Sequence, residues 1–196
     1  ITDPPYASLE KHREHGTTTR LTNKWFETIP NESFPELFGL IYRVLRNNRH
    51  FYLFCDAETM FVAKPAAEAA GFKFWKPIVW DKLAIGLGYH YRARYEVILF
   101  FEKGKRRLAD LGTADVLPFK RIRSDDAYPT EKPVELLDVL VRQSSEPGEL
   151  VVDPFFGSGS TAVAAIKAGR GFAGADISED AMACATCRVE GLRTCE

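Results

Sequence analysis

The chain reads as an α/β layer protein in which strands and helices alternate. Two observations predict this. Apolar runs of strand length at residues 51–55, 73–80, 95–101 and 149–153 are interleaved with segments whose apolar residues recur at helical spacing. The last run ends in Asp153, a Gly-rich loop follows and an Ala-rich helix opens, the strand-loop-helix order of nucleotide-type cofactor sites. With 196 residues and 45% hydrophobic content, the chain has the size of one domain and too much apolar surface to be disordered. No apolar stretch is long enough to span a bilayer and no signal peptide is visible, so a cytoplasmic location is expected.

Taken in order, Ile1-Thr2 reads as the end of a strand, with sequence upstream expected to supply its beginning and a further strand. Asp3-Pro4-Pro5-Tyr6 follows. Proline fixes φ, lacks an N–H and pushes the preceding residue to extended geometry, so the Asp3 carboxylate and the Pro4 carbonyl should be held outward beside an aromatic ring. That set suits a grip on the amino group of a flat heterocycle. Residues 7–24 are polar and aperiodic and read as a mobile loop. Residues 34–48 carry Phe34, Leu37, Phe38, Ile41 and Leu45 at helical spacing, with Asn47-Asn48 as a stop. Residues 51–55 form a strand, 65–70 a helix ended by Gly71, and 73–80 and 95–101 two more strands. Residues 133–143 form a helix with Pro133 in its first turn and Val134, Leu137, Leu140 and Val141 inward. A helix is expected at residues 179–188.

The C-terminal loop is Asp153-Pro154-Phe155-Phe156-Gly157-Ser158-Gly159-Ser160-Thr161. Its glycines allow the backbone to approach a ligand, and the helix N-terminus behind it favours an anionic group. A short strand over residues 171–177 brings Asp176 nineteen residues after Gly157, placed to accept hydrogen bonds from ribose hydroxyls, with Ile177 beside it. Gly157-Ser158-Gly159-Ser160-Thr161-Ala162 also satisfies the dinucleotide fingerprint, so a nicotinamide oxidoreductase is an alternative. Two features oppose it: the loop lies too near the C-terminus for a second half-fold, and Asp3-Pro4-Pro5-Tyr6 has no role in hydride transfer.

Together, the two segments resemble the β-group DNA amino-methyltransferases of the adenine-N6 type, in which D-P-P-Y precedes D-x-F-x-G-x-G. Further matches lie between them: Trp80-Asp81-Lys82, Arg92 with Tyr95-Glu96, and Pro129-Thr130-Glu131-Lys132-Pro133. Tyr95 and Tyr128 stand where that family more often has His. The resemblance implies a Rossmann-like methyltransferase fold with a mostly parallel, twisted seven-stranded sheet, helices on both faces and a circularly permuted motif order. It implies one catalytic domain over residues 1–196, with a catalytic half (about 1–101), a basic target-recognition-like segment (about 102–127) and a cofactor half (about 128–196). The implied cofactor is S-adenosyl-L-methionine. Asp153, Phe155, Gly157 and Gly159 would wrap its methionine part, Asp176 would hold the ribose, and Thr130 with Lys132 the carboxylate. Asp3, Pro133, Pro154, Ser158, Ser160, Thr161 and Ile177 complete the implied cofactor-binding set. Asp3, Pro4, Pro5 and Tyr6 are the implied catalytic residues, acting on adenine N6 of a base flipped out of duplex DNA. Cytosine-N4 transfer is the neighbouring alternative, although such enzymes more often carry Ser in place of Asp3. A cofactor-binding scaffold without activity is another, but it would be expected to have lost the acid or the aromatic.

Net charge is −1, yet residues 103–123 hold seven Lys/Arg against Asp110 and Asp115. Distribution outweighs the sum, so a phosphate footprint is expected from Lys105, Arg106, Arg107, Lys120, Arg121 and Arg123, with Arg92 and Arg94 as further candidates or as salt-bridge partners of Glu96 or Asp81. DNA is the expected partner, with no membrane, a homodimer left open, and the nucleoid of a bacterial or phage-infected cell as the setting. Of four cysteines, Cys55 reads as a core thiol. Cys184, Cys187 and Cys195 contain one C-x-x-C, but no second pair or nearby His completes a metal site, so none is assigned.

Overall fold

Contacts divide the computed structural model, which describes residues 1–8, 27–86, 90–122 and 131–193, into two units. The first comprises Asp3–Ile78 and Glu96–Arg106, and the second Ile1–Thr2, Val79–Tyr95 and Arg107–Glu196. Most of the expected loop at residues 7–24, together with Arg123, Tyr128, Thr130 and Cys195, lies outside the described residues.

In the first unit, a 3-10 turn at Asn31–Ser33 leads into helix α1 (Phe34–Val44), whose Pro35 sits where a missing N–H costs nothing. Phe34 and Phe38 point inward. The helix stops at Val44 rather than at Asn48 because Leu45 turns extended and Lys103 Nζ donates to the freed carbonyls of Tyr42 (2.6 Å) and Leu45 (2.7 Å). Asn48, at φ 60°, then turns the chain into β1 (Arg49–Cys55). Helix α2 (Met60–Ala69) begins five residues before the expected Pro65. Asp56 explains the early start, since its Oδ1 accepts the Thr59 N–H at 2.7 Å and its carbonyl the Met60 N–H at 3.1 Å. β2 (Lys73–Asp81) runs from the first unit into the second, and β3 (Tyr95–Lys103) returns. β1 and β3 pair antiparallel, with Phe51 opposite Phe101 and His50 opposite Glu102. Aromatic residues fill this core: Phe51 stacks on Phe101 at 5.5 Å between centroids, Phe38 lies 5.9 Å from Phe51, and Tyr6 belongs to the same cluster.

In the second unit the end of β2 pairs in parallel with β4 (Val116–Pro118), a strand within the basic segment that its short apolar run did not announce. Trp80 Nε1 fastens the same segment by donating to the Phe119 carbonyl at 2.7 Å. Helix α3 (Val134–Ser144), capped by Pro133, buries Leu136, Leu137, Leu140 and Val141. β5 (Leu150–Asp153) pairs in parallel with β6 (Gly171–Gly174), and Ile1 N donates to the Val152 carbonyl at 3.1 Å. Helix α4 (Ser160–Lys167) packs between α3 and α5 (Glu179–Arg193), with residues 160–165 all buried.

Six strands occur among the described residues, in the orders β1-β3-β2-β4 and β5-β6, against the seven expected of one sheet. The β1/β3 pair is antiparallel, a departure from parallel order, whereas β2/β4 and β5/β6 are parallel.

Candidate active site

The Asp3-Pro4-Pro5-Tyr6 turn lies in the first unit and is held from both sides. The Pro5 carbonyl accepts the Ile29 N–H at 2.6 Å, and Tyr6 forms a parallel bridge with Ile29. Two residues after Tyr6, Ser8 Oγ donates to Asp56 Oδ2 at 2.6 Å and lies 3.2 Å from Thr59 Oγ1. Asp56 therefore caps α2 and ties down the exit of the turn. Sequence reading missed it, although a carboxylate ending a strand three residues before Thr59 is an N-cap signal. Tyr6 is only 9% exposed and sits in the aromatic core rather than projecting as a free stacking face. Burial first, then the carboxylates of Asp3, Glu96 and Asp56, push its phenol far above the usual range, so it remains a neutral O–H donor. Asp3 is half-buried.

In the second unit the Gly-rich loop is stitched by its own acids. Asp153, 3% exposed, accepts the Phe155 N–H on Oδ1 (3.1 Å) and the Thr161 hydroxyl on Oδ2 (2.7 Å), closing β5 onto the first turn of α4. Its carboxylate acts on the loop itself rather than lying open to a ligand. Asp176 Oδ2 accepts the Gly157 N–H at 2.9 Å and Oδ1 the Ser178 N–H at 3.0 Å. Each oxygen keeps acceptor capacity for a further donor. Ile177, next in the chain, is 83% exposed.

Gly159 has a packing role beside the room for a ligand expected of both glycines. It lies at φ 79°, and a Cβ there would meet the Ala185 Cβ at 2.6 Å and its Cα at 2.9 Å. Gly159 is thus required for the close seating of α5. Gly157, at φ 51°, has the left-handed backbone expected of the loop.

Ser158 and Ser160 are buried with their hydroxyls 3.2 Å apart. Arg188, which sequence reading did not single out, donates from Nη1 to the Ser158 carbonyl (2.9 Å) and the Ser160 hydroxyl (3.2 Å), while its Nη2 lies 2.9 Å from Glu131 Oε1. An Arg nine residues into an otherwise unremarkable helix offered no signal by its position. Lys132 is half-buried and Pro133 buried at the head of α3. Pro154 and Phe155 are half-buried in the loop.

The basic candidates fare unevenly. Arg94 holds Asp81 with two bonds of 2.7 Å, and the hydrogen bonds from Arg94 and the Leu83 N–H keep that carboxyl below its ordinary range. Arg94 is thereby a salt-bridge residue. Arg92 Nε donates to the Gly86 carbonyl at 2.7 Å. Lys103 caps α1 rather than adding to a footprint. Lys105, Arg107 and Lys120 are exposed, and Arg106 and Arg121 half-buried. The Arg106 backbone is clamped from inside, its N–H by Glu102 Oε1 and its carbonyl by His50 Nε2 at 3.0 Å.

Known proteins match this chain along nearly its full length. A family model for N6/N4 methyltransferases, described as DNA methylase, matches residues 1–120 and 112–186. The DNA adenine methyltransferase YhdJ of Escherichia coli (strain K12) is 27% identical over 216 residues, covering 91% of this chain and 71% of YhdJ. Among solved structures, the M1.HpyAVI–SAM complex matches with a TM-score of 0.75 at 20% identity, over 96% of this chain and 86% of that one. The cytosine-N4-specific PvuII DNA methyltransferase matches with a TM-score of 0.76 at 18% identity, over 96% of this chain and 77% of that one. These two likenesses show the fold, which is Rossmann-like α/β.

Proposed function

Since the chain belongs to the N6/N4 DNA methylase family, we propose that it transfers a methyl group from S-adenosyl-L-methionine to the N6 amine of an adenine flipped out of duplex DNA. The observation that carries the reading is the Asp3-Pro4-Pro5-Tyr6 turn, pinned by Ile29 on one side and, through Ser8, by Asp56 on the other. A ring amine is a poor nucleophile because its lone pair is delocalised. Asp3 and the Pro4 carbonyl accept its two N–H bonds, which turns the nitrogen toward tetrahedral geometry and frees the lone pair. A fixed turn lets those acceptors act without reorganising, so catalysis is orientation and electrostatics. Tyr6, anchored in the core, bounds the base.

When bound, S-adenosylmethionine supplies an activated methyl group on a sulfonium. The residues present fit such a ligand: Asp176 has acceptor capacity left for ribose hydroxyls, exposed Ile177 offers an apolar contact for a purine, and the loop at Gly157 presents left-handed backbone at a helix start. Phe155, Ser158 and Thr130 with Lys132 and Pro133 complete the binding set, and Asp153 with Thr161 holds the loop in shape. The basic segment over residues 102–127 reads the target, and the substrate places the protein on the nucleoid of a bacterial cytoplasm. No helix among the described residues is long and apolar enough to cross a membrane.

Adenine is favoured by Asp3 and by the name of YhdJ; cytosine-N4 is the second reading, supported by the likeness to the PvuII enzyme. Duplex DNA incubated with methyl-labelled cofactor and digested to nucleosides should yield N6-methyladenine. N4-methylcytosine would establish the second reading, and no labelled nucleoside would overturn both.

A further inference from the structure

Helix α5 turns one face to the Gly-rich loop. Ala181 and Ala185 are buried, and Ala185 lies so close to Gly159 that a methyl group there would overlap it. Arg188 stands one turn further along the same face. From there its guanidinium does two things at once: Nη1 binds the Ser158 carbonyl and the Ser160 hydroxyl, and Nη2 pairs with Glu131 at 2.9 Å. The pair is largely withdrawn from water, with side-chain exposures of 26% for Arg188 and 13% for Glu131.

The placement raises an electrostatic problem that the pairing answers. Glu131 is the immediate neighbour of Lys132, which is assigned above to the carboxylate of the cofactor. An unpaired carboxylate next to that lysine would repel the anion and draw the lysine away. The loop itself alternates Gly and Ser, with high conformational freedom, and needs an external tie. We infer that Arg188 is a positioning residue for the amino-acid end of the cofactor, tying the loop at residues 158–160 and neutralising Glu131 beside Lys132. This rests on the reading of the second unit as an S-adenosylmethionine site.

The test compares two probes on the whole chain by titration calorimetry: S-adenosylhomocysteine, which carries the amino-acid end, and methylthioadenosine, which has the same nucleoside without it. Arg188→Met should weaken S-adenosylhomocysteine about tenfold or more and methylthioadenosine less than about threefold. Glu131→Gln alone should leave S-adenosylhomocysteine binding unchanged or tighter, and Arg188→Met combined with Glu131→Gln should recover the part of the loss that comes from the unpaired Glu131, leaving the part that comes from the untied loop. An equal loss for both probes, no loss for either, or a double variant no better than Arg188→Met overturns the inference. Should Arg188→Met fail to fold, a large loss of S-adenosylhomocysteine affinity in Glu131→Gln overturns it instead. Failure of the unaltered chain to bind either nucleoside is a different result, and it removes the cofactor reading itself.

Discussion

Asp3 and Asp176 are both carboxylates in the proposed machinery, but their surroundings assign them different work. Asp176 is fastened to the loop through Gly157 and to its own turn through Ser178, so Asp176→Ala should raise the cofactor dissociation constant while a residual rate survives at saturating cofactor. Asp3→Ala should abolish transfer and leave cofactor affinity within about tenfold, since a peripheral contact is worth about 1.4 kcal/mol. Binding and single-turnover assays on the two variants separate these outcomes, and near-normal turnover in Asp3→Ala would remove the turn from the mechanism. Tyr6 yields a pH prediction. Its folded phenol is raised above the ordinary 10.0 of an unfolded tyrosine, so its contribution to stability is full below pH 10 and lost as the pH rises above it. Alkaline unfolding should therefore be shallower in Tyr6→Phe, with Cys55, whose thiol is likewise raised by burial, contributing to the slope that remains. Gly159→Ala places a Cβ 2.6 Å from Ala185 Cβ at positive φ, and should cost about 2–4 kcal/mol in urea unfolding.

Elements were legible where periodicity and punctuation agreed. The strands at β1, β3 and β5 and the helix at α3 follow their apolar patterns to within two residues. Boundaries moved where a distant partner intervened, as when Lys103 ended α1 early and the Asp56 cap started α2 ahead of Pro65. The described part of the basic segment, residues 102–122, was the least legible, because polar contacts and not an apolar pattern fix much of it. Buried Gln143, near the end of α3, acts there as a surrogate strand edge. Its Oε1 accepts the Asp110 N–H (2.9 Å), its Nε2 donates to the Asp110 carbonyl (3.0 Å), and Ala109 N–H bonds its backbone carbonyl (3.1 Å). Gln143→Leu should cost about 1–3 kcal/mol and speed limited proteolysis at residues 109–113. A cleavage rate equal to that of the unaltered chain would show that β4 and Trp80 hold the segment without it.

At the scale of the whole molecule, charge placement bears most on substrate binding. Net charge is −1, and structure withdraws two of the conspicuous cations, Lys103 to cap a helix and Arg94 to hold Asp81. Exposed Lys105, Arg107 and Lys120 remain the strongest candidates for phosphate binding. Changing these three to Gln should weaken duplex binding and lower the slope of log K against log salt by about 0.9 for each phosphate no longer neutralised. An unchanged slope would move the footprint elsewhere on the surface.

The order of Asp-Pro-Pro-Tyr before Asp-Pro-Phe-Phe-Gly-Ser-Gly determined the family and the Rossmann-like class, because the backbone demands of proline and glycine and the chemistry of a carboxylate are local and survive without knowledge of the fold. Tertiary structure decided what those residues touch. It turned Asp153 inward onto Phe155 and Thr161, gave Gly159 to the packing of α5, sank Tyr6 into an aromatic core, and brought Arg188 onto a loop some thirty residues away in sequence. Each of those assignments depends on which segments meet in space, and hydrogen-bond and packing partners distant along the chain leave no periodic trace in the sequence between them.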